Sequence, residues 1–390
     1  MKISKRVEGV EYAIRDIALS AKKLEKQGQK ITYLNIGDPV QYGFQPPDNV
    51  KEALIKAIKN GQNYYAPSEG LTELRQAIAE KEKAKGLSVS EEDILVTNGV
   101  SEGLEMLMAS IVETGDEVLI PGPYYPPYAS YVRLFGGIPI EFAVDLNNST
   151  PDLEDIKSKI TPKTVAICLI SPNNPTGAVF NEKSLKDLVE IAVEHDLYII
   201  CDEIYDQIVF DEKFVGIGKV AGDAPVILVN GFSKVHLMSG WRIGYLAFNN
   251  SKGLETLREN IPKLARVRIA SNLPIQHAAI ESLRGSQSYI PKFVSELKKR
   301  RDYVIKRING MHGLRCSNPK GAFYAFPKIE SNKYQSDKEF VMELLKSKGI
   351  LTVHGSGFGT KYGSGHFRMV FLPEINILES ALDKIEEFVA

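Results

Sequence analysis

The sequence is poor in cysteine, in net charge and in long apolar runs. Only Cys168, Cys201 and Cys316 occur in 390 residues, too few for a disulfide framework and too widely spaced for a C-x-x-C redox or metal motif. The 48 Lys+Arg nearly balance the 49 Asp+Glu. A formal charge of −1 exerts no sequence-independent pull toward nucleic acid or an acidic membrane. No apolar run approaches the roughly 20 residues that span a bilayer. The N-terminus, MKISKRVEGVEYAIRD, is charged throughout and lacks the apolar core of a signal peptide. Repeats, low-complexity tracts and long linkers are missing too. There is no G-x-x-x-x-G-K-[ST], and Gly355, Gly357 and Gly359 (GSGFG) do not complete G-x-G-x-x-G. The six His have no metal-ligand spacing, and Ser233 and Ser239 lack a G-x-S-x-G elbow. The expectation is a soluble, cytoplasmic protein with neither a nucleic-acid nor a membrane partner.

What is present is ordinary globular composition, 43% hydrophobic and 25% charged, in a chain long enough for two or three domain-sized units. Asn49–Lys59 and Leu71–Lys85 carry apolar residues at i, i+3 and i+4 and predict amphipathic helices. Seven short apolar runs follow, at Asp93–Thr97, Glu117–Ile120, Ile138–Val144, Val165–Ile170, Tyr198–Cys201, Val226–Val229 and Ile243–Phe248. Their hydrophobicity is continuous rather than alternating, which fits strands covered on both faces. Helical stretches such as Ser184–His195 separate them, giving a βαβ pattern. These features predict an α/β fold whose large domain, residues 48–280, has a mostly parallel seven-stranded sheet between helices. Beyond it come a charged helix (Ser288–Asn309), GAFYAFP, a helix near Asp337–Lys348 and the strand HFRMVF. Residues 281–390, with 1–47 and their helix Glu11–Gln27, predict a smaller α+β domain.

Several polar clusters follow directly on the runs, where open α/β sheets bind ligands. SPNNPTG (Ser171–Gly177) is a good turn, and its Asn amides can also donate to a ligand oxygen. In CDEIYDQIVF, Asp202 ends a buried run, so its carboxylate must meet a cation or strong donors. Tyr205 reaches the same neighbourhood. In VNGFSKVHLMSGWRIGY, Lys234 follows the Val226–Val229 run. Partial burial there lowers a lysine's pKa and makes it a nucleophile suited to Schiff-base formation. Arg242, eight residues on, suits a phosphate or carboxylate. In NGVSEGL, Gly99, Val100 and Ser101 open a helix whose free N–H groups fit a phosphate. PGPYYPPY offers stiffly held rings, either for the core or for stacking on a flat cofactor.

Together these residues resemble the class I/II aminotransferases, the fold-type I pyridoxal-phosphate enzymes. The motifs LNIGDP, YYAPSEGLTELR, NGVSEGL, PGPYYPPY, SPNNPTG, CDEIY, NGFSK, GWRIGY and HFRMVF occur in the family's chain order. The resemblance implies pyridoxal 5′-phosphate as cofactor. Lys234 would hold it as a Schiff base and then move the Cα proton, while Asp202 would pair with the pyridinium nitrogen. Asn174 and Tyr205 would hold the phenolic oxygen, and Tyr125 would stack on the ring. The phosphate would rest on Gly99, Val100, Ser101 and Arg242, with Tyr65 arriving from the second subunit of a homodimer. Arg368 would clamp the substrate α-carboxylate, with the Gly37 backbone lining the same position. Many relatives have Ser where this chain has Gly231, which leaves a phosphate contact missing or supplied by Ser233.

The implied activity is ping-pong exchange between amino acids and 2-oxo acids. MKISKR, EYAIRD, LNIGDPV, GFQPP and PGPYYPPY most resemble the alanine aminotransferase branch, which implies L-alanine and 2-oxoglutarate. Aspartate or aromatic aminotransferases are the nearest alternative. A C–S β-lyase would share the cofactor site, whereas a cofactor-binding regulator would need a DNA-binding domain for which the chain has no room. Residues Tyr12 to Arg15 are expected to cap the pocket.

Overall fold

A computed structural model describes residues 3–8 and 12–390. Each of the seven apolar runs becomes a strand of one sheet: β1 (Ile94–Thr97), β2 (Glu117–Gly122), β3 (Ile138–Asp145), β5 (Thr164–Ile170), β6 (Tyr198–Asp202), β7 (Val226–Gly231) and β8 (Gly244–Phe248). An eighth, β4 (Thr150–Pro151), adds a two-residue edge. It carries no apolar run, and it hydrogen-bonds only to the end of β3. The order is β1-β8-β7-β6-β5-β2-β3-β4. The pairs β7–β6, β6–β5, β5–β2 and β2–β3 are parallel, whereas β8 runs antiparallel to both its neighbours.

The continuous hydrophobicity of the strands has its explanation in two separate cores. Leu119, Ile167, Leu169, Ile199, Cys201 and Leu228 pack into one cluster. Their alternate neighbours Val118, Ile120, Cys168, Ile200, Ile227 and Val229 pack into another. Successive strand side chains point to opposite faces, so helices must cover both. The helix Thr72–Ala84 buries Leu74 and Ile78 on the first face, and Val100–Ile111 buries Leu104, Leu107 and Met108 on the second.

A third core joins the two ends of the chain. The helix Ala13–Lys26 contributes Ile17 and Ala21, and Tyr289–Gly310 contributes Phe293, Leu297 and Val304. Thr32–Tyr33 pairs in parallel with Ile350–Leu351. Phe367–Val370 lies between Tyr324–Ala325 and Val353–His354, antiparallel to both. The helix expected over Glu11–Gln27 spans Ala13–Lys26, and Glu11 lies outside the described residues. Among the described residues, no helix is long and apolar enough to cross a membrane.

This topology sets where the polar clusters meet. The parallel strands β2, β5, β6 and β7 all release their chains at one edge, and the antiparallel β8 begins there. Thr97, Gly244 and Gly231 stand in register at that edge, as do Ile170, Asp202 and Val229. The segments carrying Gly99, Tyr125, Asn174, Asp202, Lys234 and Arg242 therefore converge, as expected at the carboxyl ends of an open α/β sheet.

Candidate active site

A cavity of about 730 Å³ opens at this edge, and the third core closes its far side. Its wall includes Val100, Ser101, Tyr125, Asn174, Asp202, Tyr205, Ser233, Lys234, Arg242 and Arg368, together with Gly37. Tyr12, Ile14 and Arg15 stand on the same wall. Gly99 lies just behind it, against Arg242. Tyr65 is elsewhere, 78% exposed on the surface of this chain.

Lys234 follows β7 by three residues and donates from Nζ to the Gly37 carbonyl at 2.7 Å. Among the described residues it has no carboxylate within ion-pair distance. Burial lowers its pKa from the ordinary lysine value to about 8, while the nearby Asp38 carboxylate opposes that shift and the Arg368 and Arg242 guanidiniums add to it. A lysine so placed is a free amine for about a tenth of its time at pH 7 and for half of it at about pH 8, far more than an ordinary lysine.

Asp202 is buried at the end of β6. It meets donors rather than a cation: Oδ1 accepts from the Ile204 N–H at 2.9 Å, and Oδ2 accepts from the Tyr128 hydroxyl at 2.7 Å. Burial nevertheless raises its pKa to about 6, against the lowering by these two hydrogen bonds. A carboxylate held this way is suited to receive a further N–H donor.

The phosphate-sized corner is built from backbone. Gly99 begins the helix Val100–Ile111 with φ of 87°, and no side chain caps that end. The first N–H groups of a helix point outward and favour an anion. A Cβ at Gly99 would come within 2.5 Å of the Arg242 guanidinium, so glycine is needed both for the left-handed backbone and for the close approach. Arg242 is itself exposed, and its Nη1 donates to the Ser239 carbonyl at 3.0 Å. The Ser239 hydroxyl in turn donates to Asp38 at 2.6 Å.

On the opposite wall, Arg368 is fully buried on Phe367–Val370. Its Nη1 donates to Asn174 Oδ1 at 2.9 Å, and Nη2 donates to the Asn35 carbonyl. Its Cζ stands 4.6 Å from the ring centroid of Tyr324 and 4.8 Å from that of Phe358. Nε is buried without a hydrogen-bond partner among the described residues. Tyr205 and Tyr324 share a hydroxyl contact at 2.8 Å, as do Tyr12 and Tyr125 at 2.9 Å. Burial pushes the Tyr205 and Tyr125 hydroxyls well above the ordinary tyrosine value, so both remain protonated donors.

A lysine amine, a buried carboxylate, an uncapped helix end and a buried arginine face one cavity. The family profile described as aminotransferase class I and II matches residues 29–385.

The chain belongs to the class I and II aminotransferases.

As a member of this family it is a transaminase, an enzyme of α/β fold-type I. It is 38% identical over 397 residues to the glutamate-pyruvate aminotransferase AlaA of Escherichia coli K12, covering 99% of this chain and 97% of that one. It is 35% identical to an alanine aminotransferase of Mycobacterium tuberculosis, covering 99% and 92%. The structure of an alanine aminotransferase from Pyrococcus furiosus superposes with a TM-score of 0.97 at 48% identity, covering 100% of this chain and 99% of that chain. Aspartate aminotransferase from Thermus thermophilus with maleate gives a TM-score of 0.91 at 31% identity, covering 99% of each.

Aminotransferases of this family generally depend on pyridoxal phosphate, and the donor set fits that group. The glycine cradle beside Arg242, the uncapped helix end, the cation-free Asp202 and the amine of Lys234 match its phosphate, ring nitrogen and aldehyde in turn. Sequence reasoning passed over Tyr128, although it lies within PGPYYPPY three residues after Tyr125. It also missed Asp38, Asn35, Ser239 and Tyr324. Asp38 sits in the quoted motif LNIGDP, and Tyr324 in GAFYAFP.

Proposed function

We propose that this aminotransferase moves the amino group of L-alanine to 2-oxoglutarate in a ping-pong cycle with pyridoxal 5′-phosphate. The observation that carries the cofactor reading is the single cavity in which Lys234, Asp202 and the Gly99–Arg242 cradle meet. Alanine is supported by the glutamate-pyruvate and alanine aminotransferase names of the AlaA, mycobacterial and Pyrococcus relatives. Arg15 supports a dicarboxylic partner, since it stands on the wall in addition to Arg242 and Arg368. A guanidinium is the group that binds a second carboxylate best.

Pyridoxal phosphate, when bound, supplies an electron sink for the charge left on the substrate Cα. Asp202 would hold the ring-nitrogen proton, and Asn174 and Tyr205 would donate to the phenolic oxygen. Tyr125 would stack on the ring. The N–H groups after Gly99, with Ser101, Ser233 and Arg242, would hold the phosphate, joined by Tyr65 of the partner subunit in a homodimer. Arg368 orients the α-carboxylate and so aims the Cα–H at Lys234 Nζ. That nitrogen, neutral above a pKa of about 8, removes the Cα proton and later returns it as the acid. The cavity wall from Tyr12 to Arg15 excludes water from this transfer.

The proposal extends to organisation. Residues 48–280 form the cofactor domain, 1–47 and 281–390 form the smaller one, and the dimer works in the cytoplasm. The test is a half-reaction. L-Alanine added to cofactor-loaded protein without an oxo acid should bleach the visible band and release pyruvate once per site. 2-Oxoglutarate should then restore the band. Continuous release of pyruvate and ammonia from a β-substituted amino acid such as L-cysteine or cystathionine, with no oxo acid present, would instead mark a lyase.

A further inference from the structure

Asp202 and Tyr205 line the cavity, but Glu203 and Asp206 of the same turn do not. Both enter a second polar cluster, with Lys81, Glu82 and Lys85 at the end of the helix Thr72–Ala84. Glu82, Glu203 and Asp206 are buried. Lys85 lies 2.7 Å from Glu82 and 2.6 Å from Glu203. A single oxygen of Asp206, Oδ2, takes Lys81 at 2.8 Å, Lys85 at 3.1 Å and the Asn230 amide at 3.1 Å. Asn230 closes the link by accepting the Gly231 N–H at 2.7 Å. Gly231 is three residues before Lys234.

Two ammonium groups thus face three carboxylates with little water. Such clusters rarely stabilise a fold better than apolar packing of the same volume, because desolvation offsets the attraction. Stability therefore leaves the cluster unexplained, and its connectivity supplies a reason. One end is the turn carrying Asp202 and Tyr205, and the other is the loop carrying Lys234. We propose that Asp206, held by Lys81, Lys85 and Asn230, is a positioning residue that locks these two segments into one unit. The Glu203 charge next to Asp202 also strengthens that carboxylate's hold on a proton, though burial does more. The inference rests on the catalytic roles proposed above for Asp202, Tyr205 and Lys234.

The test uses Asp206→Asn and Asn230→Ala in the full chain. Asp206→Asn leaves two ammonium groups against two carboxylates, a balanced cluster that should still fold. In the cofactor-free protein, hydrogen exchange followed by mass spectrometry should quicken about tenfold or more in both segments 203–208 and 231–237, with 164–170 unchanged. In the loaded protein, kcat should fall about 10- to 100-fold while KM for L-alanine moves less than about threefold. The pH midpoint of the bound cofactor's absorption should shift by about half a unit or more. Unchanged exchange in both segments overturns the proposal, and so does a general loss of protection with an unmoved kcat and pH midpoint. If wild-type protein takes up no pyridoxal phosphate, the functional reading falls, and the exchange measurement still decides the coupling.

Discussion

Replacing Asp202 by Asn should stabilise the cofactor-free enzyme while disabling it. The carboxyl is buried, and its pKa stands at about 6 in the folded chain against an ordinary 3.8. A raised carboxyl pKa means that the folded state binds the proton more tightly than the unfolded state does. Stability from this group is then complete at low pH and is lost as pH rises through the folded value. A gap of about two units corresponds to ~3 kcal/mol, lost between about pH 4 and pH 7. Asn keeps the volume and carries no charge. Its carbonyl can still accept from the Ile204 N–H, and its amide can donate to Tyr128. Urea unfolding of both cofactor-free proteins from pH 4.5 to 8 provides the assay. Taking the two as equal where the carboxyl is protonated in both states, the variant should lead wild type by ~1 kcal/mol at pH 4.5 and by ~3 kcal/mol at pH 7 to 8. The same variant should lose amino transfer at every pH. A stability difference that does not vary with pH would refute the reasoning, because it would mean that Asp202 is not held protonated by its surroundings.

Other expectations follow from neighbouring geometry. Because burial brings Lys234 to about 8, its acylation by a neutral reagent should rise about tenfold per pH unit below 8 and level off above it; a rise continuing past pH 10 would contradict that. Arg368→Lys loses the fork that meets Asn174 and Asn35, so KM for L-alanine should rise about 10- to 100-fold, matching ~1.5–3 kcal/mol for a charge-assisted bond. Gly99→Ala places a Cβ 2.5 Å from Arg242 on a backbone with φ of 87°. Equilibrium dialysis should show pyridoxal phosphate bound about tenfold or more weakly, since left-handed backbone alone costs ~1–2 kcal/mol.

Much of the fold is readable in the chain because strands buried on both faces leave unbroken apolar runs such as Val165–Ile170 and Val226–Val229. The edge strand Thr150–Pro151 leaves no such trace, since a two-residue ladder needs no apolar run. Asn174, Asp202, Lys234 and Arg242 were legible because each borders an apolar run: Asn174 and Lys234 lie a few residues past a strand end, Asp202 closes a strand and Arg242 stands just before one. The partners that hold them were not. Tyr128 is 74 residues from Asp202 and reads as one more ring of PGPYYPPY. Asp38 and Tyr324 reach the cavity from segments far from β5, β6 and β7, and only the packing of the third core brings them there. Glu203 and Asp206 sit beside Asp202 in the sequence, yet periodicity does not tell which members of a tight turn face the cavity.

The central claim is that Lys234 is the residue that binds the cofactor covalently. Pyridoxal phosphate should be added, the adduct fixed with borohydride, and the protein digested and mapped by mass spectrometry. The reduced cofactor should be found on the peptide containing Lys234, with none on that peptide in Lys234→Ala. Labelling of another lysine at equal stoichiometry, or of none, would contradict the account.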